Sequence, residues 1–387
     1  MIQGTDNPAN TTTDQRPTVC HVIHALGVGG AEVLVDIMVR QLSDQFRCLV
    51  AVLDDVGEIG LQLQADGFVV EHLHRQPGID RGCAKRLRAF ADQNNVDILH
   101  AHQYTPFFQA MLSRGLLGRR PVLFTEHGRH FPDSSSRKRS IVNRLLLKRR
   151  DRLVGCGEAV RQALIDNEGL PADRCEVVYN GVDLQSLGSG DAAKRNTLRS
   201  SFGFSEDDFV AVQVARLHEL KDHLTAIATI DEARKHNPHI KLLIVGEGDQ
   251  RESIEKEIQH RNVESNVVLA GNRNDIADLL AASDCFLMTS ISEGIPLTII
   301  EAMAARLPVI STAVGGIPEM ITDGKSGFLS QAKDSASLAS HLVRLSQDAA
   351  LQKSVAEAGH VRAEESFSIQ SMLSGYANMY QEMINDA

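Results

Sequence analysis

The stretch Ser290-Ile-Ser-Glu293-Gly294-Ile295-Pro296-Leu297-Thr-Ile-Ile-Glu301-Ala-Met-Ala-Ala-Arg-Leu-Pro308 decides how the chain is read. Just before it, the apolar run Cys285–Met288 has the length and character of a buried strand. A polar turn with Glu293 and Gly294 follows, Pro296 stands where a first helical turn tolerates it, and Thr298–Ala305 reads as helix. Glu293 is then at the helix mouth, with Glu301 roughly 12 Å further along if the interval is all helical, at ~1.5 Å per residue. One carboxylate can meet the reacting end of an elongated ligand while the other holds its far end. The helix dipole alone also favours a glutamate at this position, so spacing by itself leaves both readings open.

The same strand–turn–helix step recurs along the chain. In the first half, strands are expected at 18–26, 47–53, 69–72, 97–102, 121–125, 153–156 and 175–179. Helices are expected between them at 31–42, 58–66, 80–94, 104–116, 138–150 and 158–168. Leu187-Gly-Ser-Gly-Asp191 is the clearest linker. The alternation then restarts, with strands at 209–215, 240–245, 267–270, 285–288, 308–311 and 327–330. Helices follow near 223–236, 249–261, 275–282, 298–305, 335–347, 350–364 and 368–384. This pattern predicts an α/β chain with two doubly wound parallel sheets and a ligand cleft at their carboxyl ends. The expected division is a disordered tail at 1–16, a first domain at 17–187 and a second at 188–367, with the last helix, 368–387, returning to the first.

Composition agrees with two soluble domains. The 387 residues exceed one typical core, and no apolar run approaches the ~18 to 20 residues of a membrane-spanning helix. The polar start, residues 1–16, lacks the apolar core of a signal peptide. Six scattered cysteines without a C-x-x-C pair point to reduced thiols in a cytoplasmic protein. Lys and Arg balance Asp and Glu at 22 each over residues 1–187, so the net charge of −10 arises from the remaining 18 against 28. No basic domain is left to bind nucleic acid.

Several loops would face the expected cleft. Gly27-Val-Gly29-Gly30 follows the first strand and opens a helix, so its N–H groups can approach an anionic or hydroxylated ligand. It is not a full G-x-G-x-x-G, because position 32 is Glu; a plain tight turn is the competing reading. Arg216 and Lys221, in the loop after the first strand of the second half, can clamp a diphosphate; two solvated surface cations are the alternative. His127, beside Gly128 at another strand end, is either presented to a ligand or structural. His100 and His102 share one strand face, but two histidines without a placed carboxylate make a poor metal site.

Taken together, the motifs form a recognisable pattern. The second half carries Val245-Gly246-Glu-Gly248 and Ala270-Gly-x-Arg273-x-Asp275. It continues with Glu293-Gly-x-Pro-x-x-x-x-Glu301 and Pro308-Val-Ile-x-Thr-x-x-Gly315-Gly316-x-Pro318-Glu319. With Asn180-Gly-Val-Asp183, Arg216, Lys221, Gly29-Gly30-x-Glu32 and His127, this run closely resembles retaining glycosyltransferases of family 4 (glycosyl transferases group 1). The resemblance spans Thr18 to about Tyr380 and is strongest in the second half.

That resemblance implies a GT-B fold, two Rossmann-like domains facing a central cleft, and a nucleotide-diphospho-sugar as co-substrate. By it, Arg216 and Lys221 would hold the diphosphate and Glu301 the ribose hydroxyls. Glu293 and the N–H groups of Gly294, Ile295 and Leu297 would face sugar and phosphate, and Arg273 the base, in the group of loops that includes Gly246. His127 would lie against the donor sugar, with Gly29 and Gly30 near phosphate and sugar. The implied reaction moves a hexose-type sugar, with retention, to a lipid-linked or saccharide acceptor in cell-surface polysaccharide or glycolipid synthesis. No D-x-D motif stands at a strand end to hold a metal, so cations in place of a metal, and no cofactor, are expected. A non-catalytic sugar-nucleotide-binding protein and a GT-B nucleotide-sugar epimerase are the alternatives. The intact set Arg216, Lys221, Glu293, Glu301 and His127 argues against the first, and the second predicts product without any acceptor.

Residues 137–152 carry eight basic side chains against one acid, Asp151. Interleaved with Ile141, Val142, Leu145, Leu146 and Leu147, they read as a basic amphipathic helix suited to an anionic membrane surface. A cytoplasmic enzyme peripheral on the inner face of the plasma membrane would follow; a helix packed on its own sheet with a solvated basic side is the competing reading.

Overall fold

The computed structural model describes residues 15–27, 29–115, 118, 120–128, 135–184 and 192–386. Most of the expected tail lies outside these residues, as do Arg129, His130 and the linker Leu187–Asp191 with its domain boundary.

The first sheet contains β1 (Thr18–Ala25), β2 (Arg47–Asp55), β3 (Val69–His72), β4 (Ile98–His102), β5 (Val122–Glu126), β6 (Arg152–Gly155) and β7 (Cys175–Val177). The second contains β8 (Phe209–Val214), β9 (Ile240–Val245), β10 (Val267–Gly271), β11 (Cys285–Met288), β12 (Val309–Thr312) and β13 (Phe328–Ser330). The sheet orders are β3-β2-β1-β4-β5-β6-β7 and β10-β9-β8-β11-β12-β13. Every expected strand is present, its ends within two residues of expectation. In both sheets the order reverses beside the first strand, β1 against β4 and β8 against β11, which is the Rossmann-like arrangement. Ligands in such sheets bind beyond the carboxyl ends of the strands at that reversal.

The second sheet is apolar on both faces because both are covered by helices. Val210, Val212, Phe286 and Met288 enter one core. Their neighbours Ala211, Cys285 and Leu287 enter the core on the other face. Apart from Lys241 near the start of β9, charge is kept out of these strands, and the loops at their ends carry the polar chemistry.

By compactness the chain forms two units. One runs to Leu123 and takes in the C-terminal stretch from Tyr380; the other is Phe124–Met379. All six cysteines are buried free thiols. Among the described residues, no helix is long and apolar enough to cross a membrane.

Three local expectations are corrected. The basic helix covers only Arg137–Leu146, not 138–150. Leu147 turns extended, and the buried Asp151 accepts the Lys148 N–H at 2.6 Å, closing a turn instead of a further helical one. Arg152 then lies in β6. Secondly, a helix spans Ala192–Ser201, where none was expected, in a mostly polar sequence whose Leu198 packs on the core. Tertiary anchors help hold it: Arg195 donates to the carbonyls of Ala281 and Ser283 and to Asp284 at 2.5 Å. Thirdly, Pro296 precedes the helix Leu297–Ala304 as its cap, so the Glu293–Glu301 interval is helical only in its second half.

Candidate active site

The reversal point of the second sheet gathers the functional side chains. β8 leads into the loop with Arg216 and Lys221, and β11 leads into the loop with Ser290, Glu293 and Gly294. Thr289 stitches the two together, its hydroxyl donating to the carbonyls of Lys221 at 3.1 Å and Asp222 at 2.8 Å. Gln213, buried at the end of β8, donates to the Lys221 carbonyl and to the Thr289 hydroxyl, both at 3.3 Å. The Ile291 N–H bonds the Leu220 carbonyl at 2.9 Å. These bonds fix where Lys221 stands. Its ammonium meets Glu293 Oε1 at 2.6 Å, and the Ser290 hydroxyl donates to the same oxygen at 2.6 Å.

The Arg216 side chain is exposed and has no hydrogen bond or ion pair among the described residues. Behind it lies the glycine loop after β9. A Cβ on Gly246, whose φ is +142°, would come within 2.1 Å of the Ala215 carbonyl, and one on Gly248 within 2.3 Å of the Leu217 carbonyl. The Leu217 N–H donates to the Glu247 carbonyl at 2.9 Å. Gly246 thus lets two backbones approach and sets the Arg216 loop.

The Glu293–Gly294 turn is held from the other side by Gly315 and Gly316. Gly315 has φ +54°, and a Cβ there would fall 1.8 Å from the Glu293 carbonyl. The Gly316 N–H donates to the Gly294 carbonyl at 3.2 Å. Gly294 itself has no room for a side chain, because its Cβ would meet the His127 carbonyl at 2.6 Å. His127 is thereby brought against the Glu293 turn, and Cys156 Sγ donates to its carbonyl at 3.3 Å. Desolvation pushes the His127 imidazole down to about 4, against the pull of a hydrogen bond with Asn180. Its ring is therefore neutral at physiological pH.

Ile295 serves the turn differently from its neighbours. Its side chain is buried, its backbone hydrogen-bonds toward the Cys156 thiol, and its carbonyl accepts from Asn180 Nδ2 at 2.9 Å. Leu297 opens the helix whose next turn carries Glu301. The Glu301 carboxylate has no hydrogen-bond partner among the described residues, and burial raises its pKa. A desolvated carboxylate without a donor is a ready acceptor for ligand hydroxyls. Arg273 is committed to Asp275 through two bonds of 2.8 and 2.6 Å and lies over the Phe202 ring.

Gly29 and Gly30 belong to the other compact unit. Gly29 caps the helix Gly30–Gln41 in an extended conformation, and the Glu32 carboxylate folds over it, 2.3 Å from where a Cβ would stand. Sequence reasoning placed Asn180, Gly315, Gly316 and Glu319 within the motif run but gave them no role at the site. Glu319 in fact accepts the N–H groups of Glu158 and Ala159, both at 2.7 Å, and the Tyr179 hydroxyl at 3.0 Å.

The family described as Glycosyl transferases group 1 matches residues 194–362, and the one described as Glycosyltransferase Family 4 matches 28–186. An N-acetyl-alpha-D-glucosaminyl L-malate synthase from Bacillus anthracis is 28% identical over 320 residues, 80% of this chain and 81% of that protein. An Escherichia coli UDP-Gal:alpha-D-GlcNAc-diphosphoundecaprenol alpha-1,3-galactosyltransferase is 28% identical over 267 residues, 67% of this chain and 68% of that one. Among solved structures, HepE of Anabaena in complex with UDP superposes with a TM-score of 0.84 at 22% identity, covering 94% of this chain and 100% of that one.

Proposed function

Because the chain belongs to the group 1, family 4 glycosyltransferases of GT-B fold, we propose that it moves a sugar, with retention, from a nucleotide-diphospho-sugar to a lipid-linked or saccharide acceptor. The setting would be cell-surface polysaccharide or glycolipid synthesis. The observation that carries this reading is the grouping of Arg216, Lys221, Glu293, Gly294 and Glu301 around the β8/β11 reversal. The names of the relatives support the donor and acceptor classes: one uses a UDP-sugar and a diphosphoundecaprenol acceptor, and HepE has been solved with UDP-glucose.

The chemistry follows from the residue types. Cleaving the bond between sugar and phosphate leaves a diphosphate with additional negative charge. Lys221 and Arg216 supply fixed positive charge there, and each well-placed donor of this kind is typically worth ~2.7 to 4 kcal/mol in the transition state. The acceptor hydroxyl attacks the anomeric carbon on the face the diphosphate leaves, and a departing phosphate oxygen takes its proton. No protein base is assigned. Glu293 stabilises positive charge developing on the sugar, neutral His127 lies against the same turn, and Glu301 accepts ribose hydroxyls. Arg273 would swing to meet the base.

Peripheral attachment to the inner face of the plasma membrane belongs to the same reading. Ile141 and Leu145, four apart on the helix Arg137–Leu146, are 60% and 72% exposed, a pair on one helical face. Arg137, Lys138, Arg144, Arg149 and Arg150 are exposed nearby. Flotation with anionic and neutral liposomes tests this; absence of salt-sensitive binding rejects it.

Thermal stabilisation by a panel of nucleotide sugars, then transfer assays with the best binder, tests the activity. Arg216→Ala is expected to abolish turnover and Glu301→Ala to weaken donor binding. Unchanged activity in both overturns the assignment, and conversion of the donor without an acceptor favours an epimerase.

A further inference from the structure

The first sheet has a strand-order reversal of its own, between β1 and β4. Three histidines meet there. His21 of β1 is in register with His100 of β4, and His102 follows two residues on, on the same face. All three are fully buried, and one ring nitrogen from each lies within 4.8 Å of the other two. His21 Nδ1 and His102 Nε2 are 3.0 Å apart. His100 Nδ1 bonds the Tyr380 hydroxyl at 2.6 Å. His21 Nε2, although buried, has no hydrogen-bond partner among the described residues.

We propose that His21, His100 and His102 bind a divalent transition-metal ion of the zinc class, the three imidazoles leaving its fourth position to water or another small ligand. Imidazole nitrogens suit zinc and its d-block neighbours, and three of them form a known ligand set. Two nitrogens bound to one tetrahedral zinc, each at ~2.0 to 2.1 Å, stand ~3.3 Å apart. The His21–His102 pair reaches that spacing by opening a few tenths of an ångström. Ligand histidines are ordinarily fixed by an outer hydrogen bond from their second nitrogen, which Tyr380 provides for His100. His102, the last residue of β4, places the cluster at the strand's carboxyl end. Without the strand register, His100 and His102 remain two ligands; His21 is the third, supplied by the neighbouring strand.

Full-length protein stripped with a chelator and titrated with Zn²⁺ and Co²⁺ tests the site. One equivalent of metal is expected, with a zinc-dependent rise in Tm reversed by the chelator and the visible bands of tetrahedral Co²⁺. His102→Gln and His21→Gln should lose these responses while His24→Gln keeps them. Tyr380→Phe should weaken binding about 10- to 100-fold, the usual effect of removing an outer partner. If the histidine variants do not fold, the wild-type titration decides alone. Failure to bind one equivalent, absence of the Co²⁺ bands, or an equal zinc response in His102→Gln overturns the proposal in favour of a neutral hydrogen-bonded histidine cluster.

Discussion

Lys221 Nζ stands 2.6 Å from Glu293 Oε1, so a cation of the loop after β8 is held by an acid of the loop after β11. On the proposed role of Lys221, the donor's diphosphate must compete with Glu293 for the ammonium. Glu293→Gln therefore separates two effects. It releases Lys221, so nucleotide-diphosphate affinity holds or rises, while kcat falls about 10²–10³-fold, typical for loss of one oriented electrostatic group. Lys221→Met should lower both. Calorimetric Kd for the nucleoside diphosphate beside kcat for transfer gives the comparison, and weaker binding by Glu293→Gln would count against this role.

Gly315 offers a test of the turn with an internal control. It has φ +54° and a would-be Cβ 1.8 Å from the Glu293 carbonyl, whereas Gly324 has φ +71° and nothing within 4 Å of its would-be Cβ. Alanine at either position pays the left-handed backbone cost, roughly 1–2 kcal/mol. Only Gly315→Ala also pushes Glu293 out of place. Both variants should lose a few degrees of Tm, but only Gly315→Ala should lose more than 10-fold in kcat/KM. Equal activity in the two would show that the turn's position does not matter.

Glu301 ties stability to pH in an unusual direction. Burial raises its folded pKa, so between its unfolded and folded values the native state binds more protons. Stability from this group is therefore greatest at low pH and falls as pH rises through the raised value. On the proposed role of Glu301, donor binding runs the opposite way, since ribose hydroxyls would be accepted by the ionised carboxylate. Glu301→Gln should raise the Tm of the free protein at neutral pH and weaken donor binding. A drop in Tm together with unchanged affinity would refute both halves.

Much of this was legible in the sequence, for particular reasons. The strands are short apolar runs bounded by polar loops, and their spacing revealed all of them. Glu293, Gly294 and Glu301 stood out because a strand, a turn and a helix follow one another within twenty residues. The helix Ala192–Ser201 was hard to read because polar residues dominate it, while Leu198 packs on the core and arginine bonds to distant carbonyls help hold it. His21 could not be joined to His100 without the strand register. The constraint on Gly315 comes from a carbonyl 22 residues earlier, a proximity that no local pattern encodes.

His223 lies buried at the start of the helix after Lys221, with neither ring nitrogen hydrogen-bonded among the described residues. Burial and the Lys221 charge push it down from 6.5 to about 4. The unfolded chain takes up a proton near 6.5 while the folded one does not, so stability from the neutral ring is present above that value and is lost as pH falls toward 4. The loss is on the order of 3 kcal/mol. Urea titrations at pH 7 and pH 5 should show a smaller difference for His223→Leu than for the unaltered protein.

Glu319 holds the start of the helix Glu158–Glu168 with both carboxylate oxygens, accepting two N–H groups that the helix itself cannot satisfy. The helix has no side-chain cap of its own, since Gly157 occupies that position. A negative group there is also favoured by the helix dipole. Glu319→Ala should cost about 1–2 kcal/mol, the usual loss of a cap, and Glu319→Gln, which keeps one acceptor oxygen, should fall between. Gly157 lies against Ile295, with a would-be Cβ 2.9 Å from its side chain, so a loosened helix start also frees the Glu293 turn. Tm and kcat are therefore expected to fall together in Glu319→Ala and to recover together in Glu319→Gln. A loss of Tm with kcat intact would confine Glu319 to capping and disconnect it from the site.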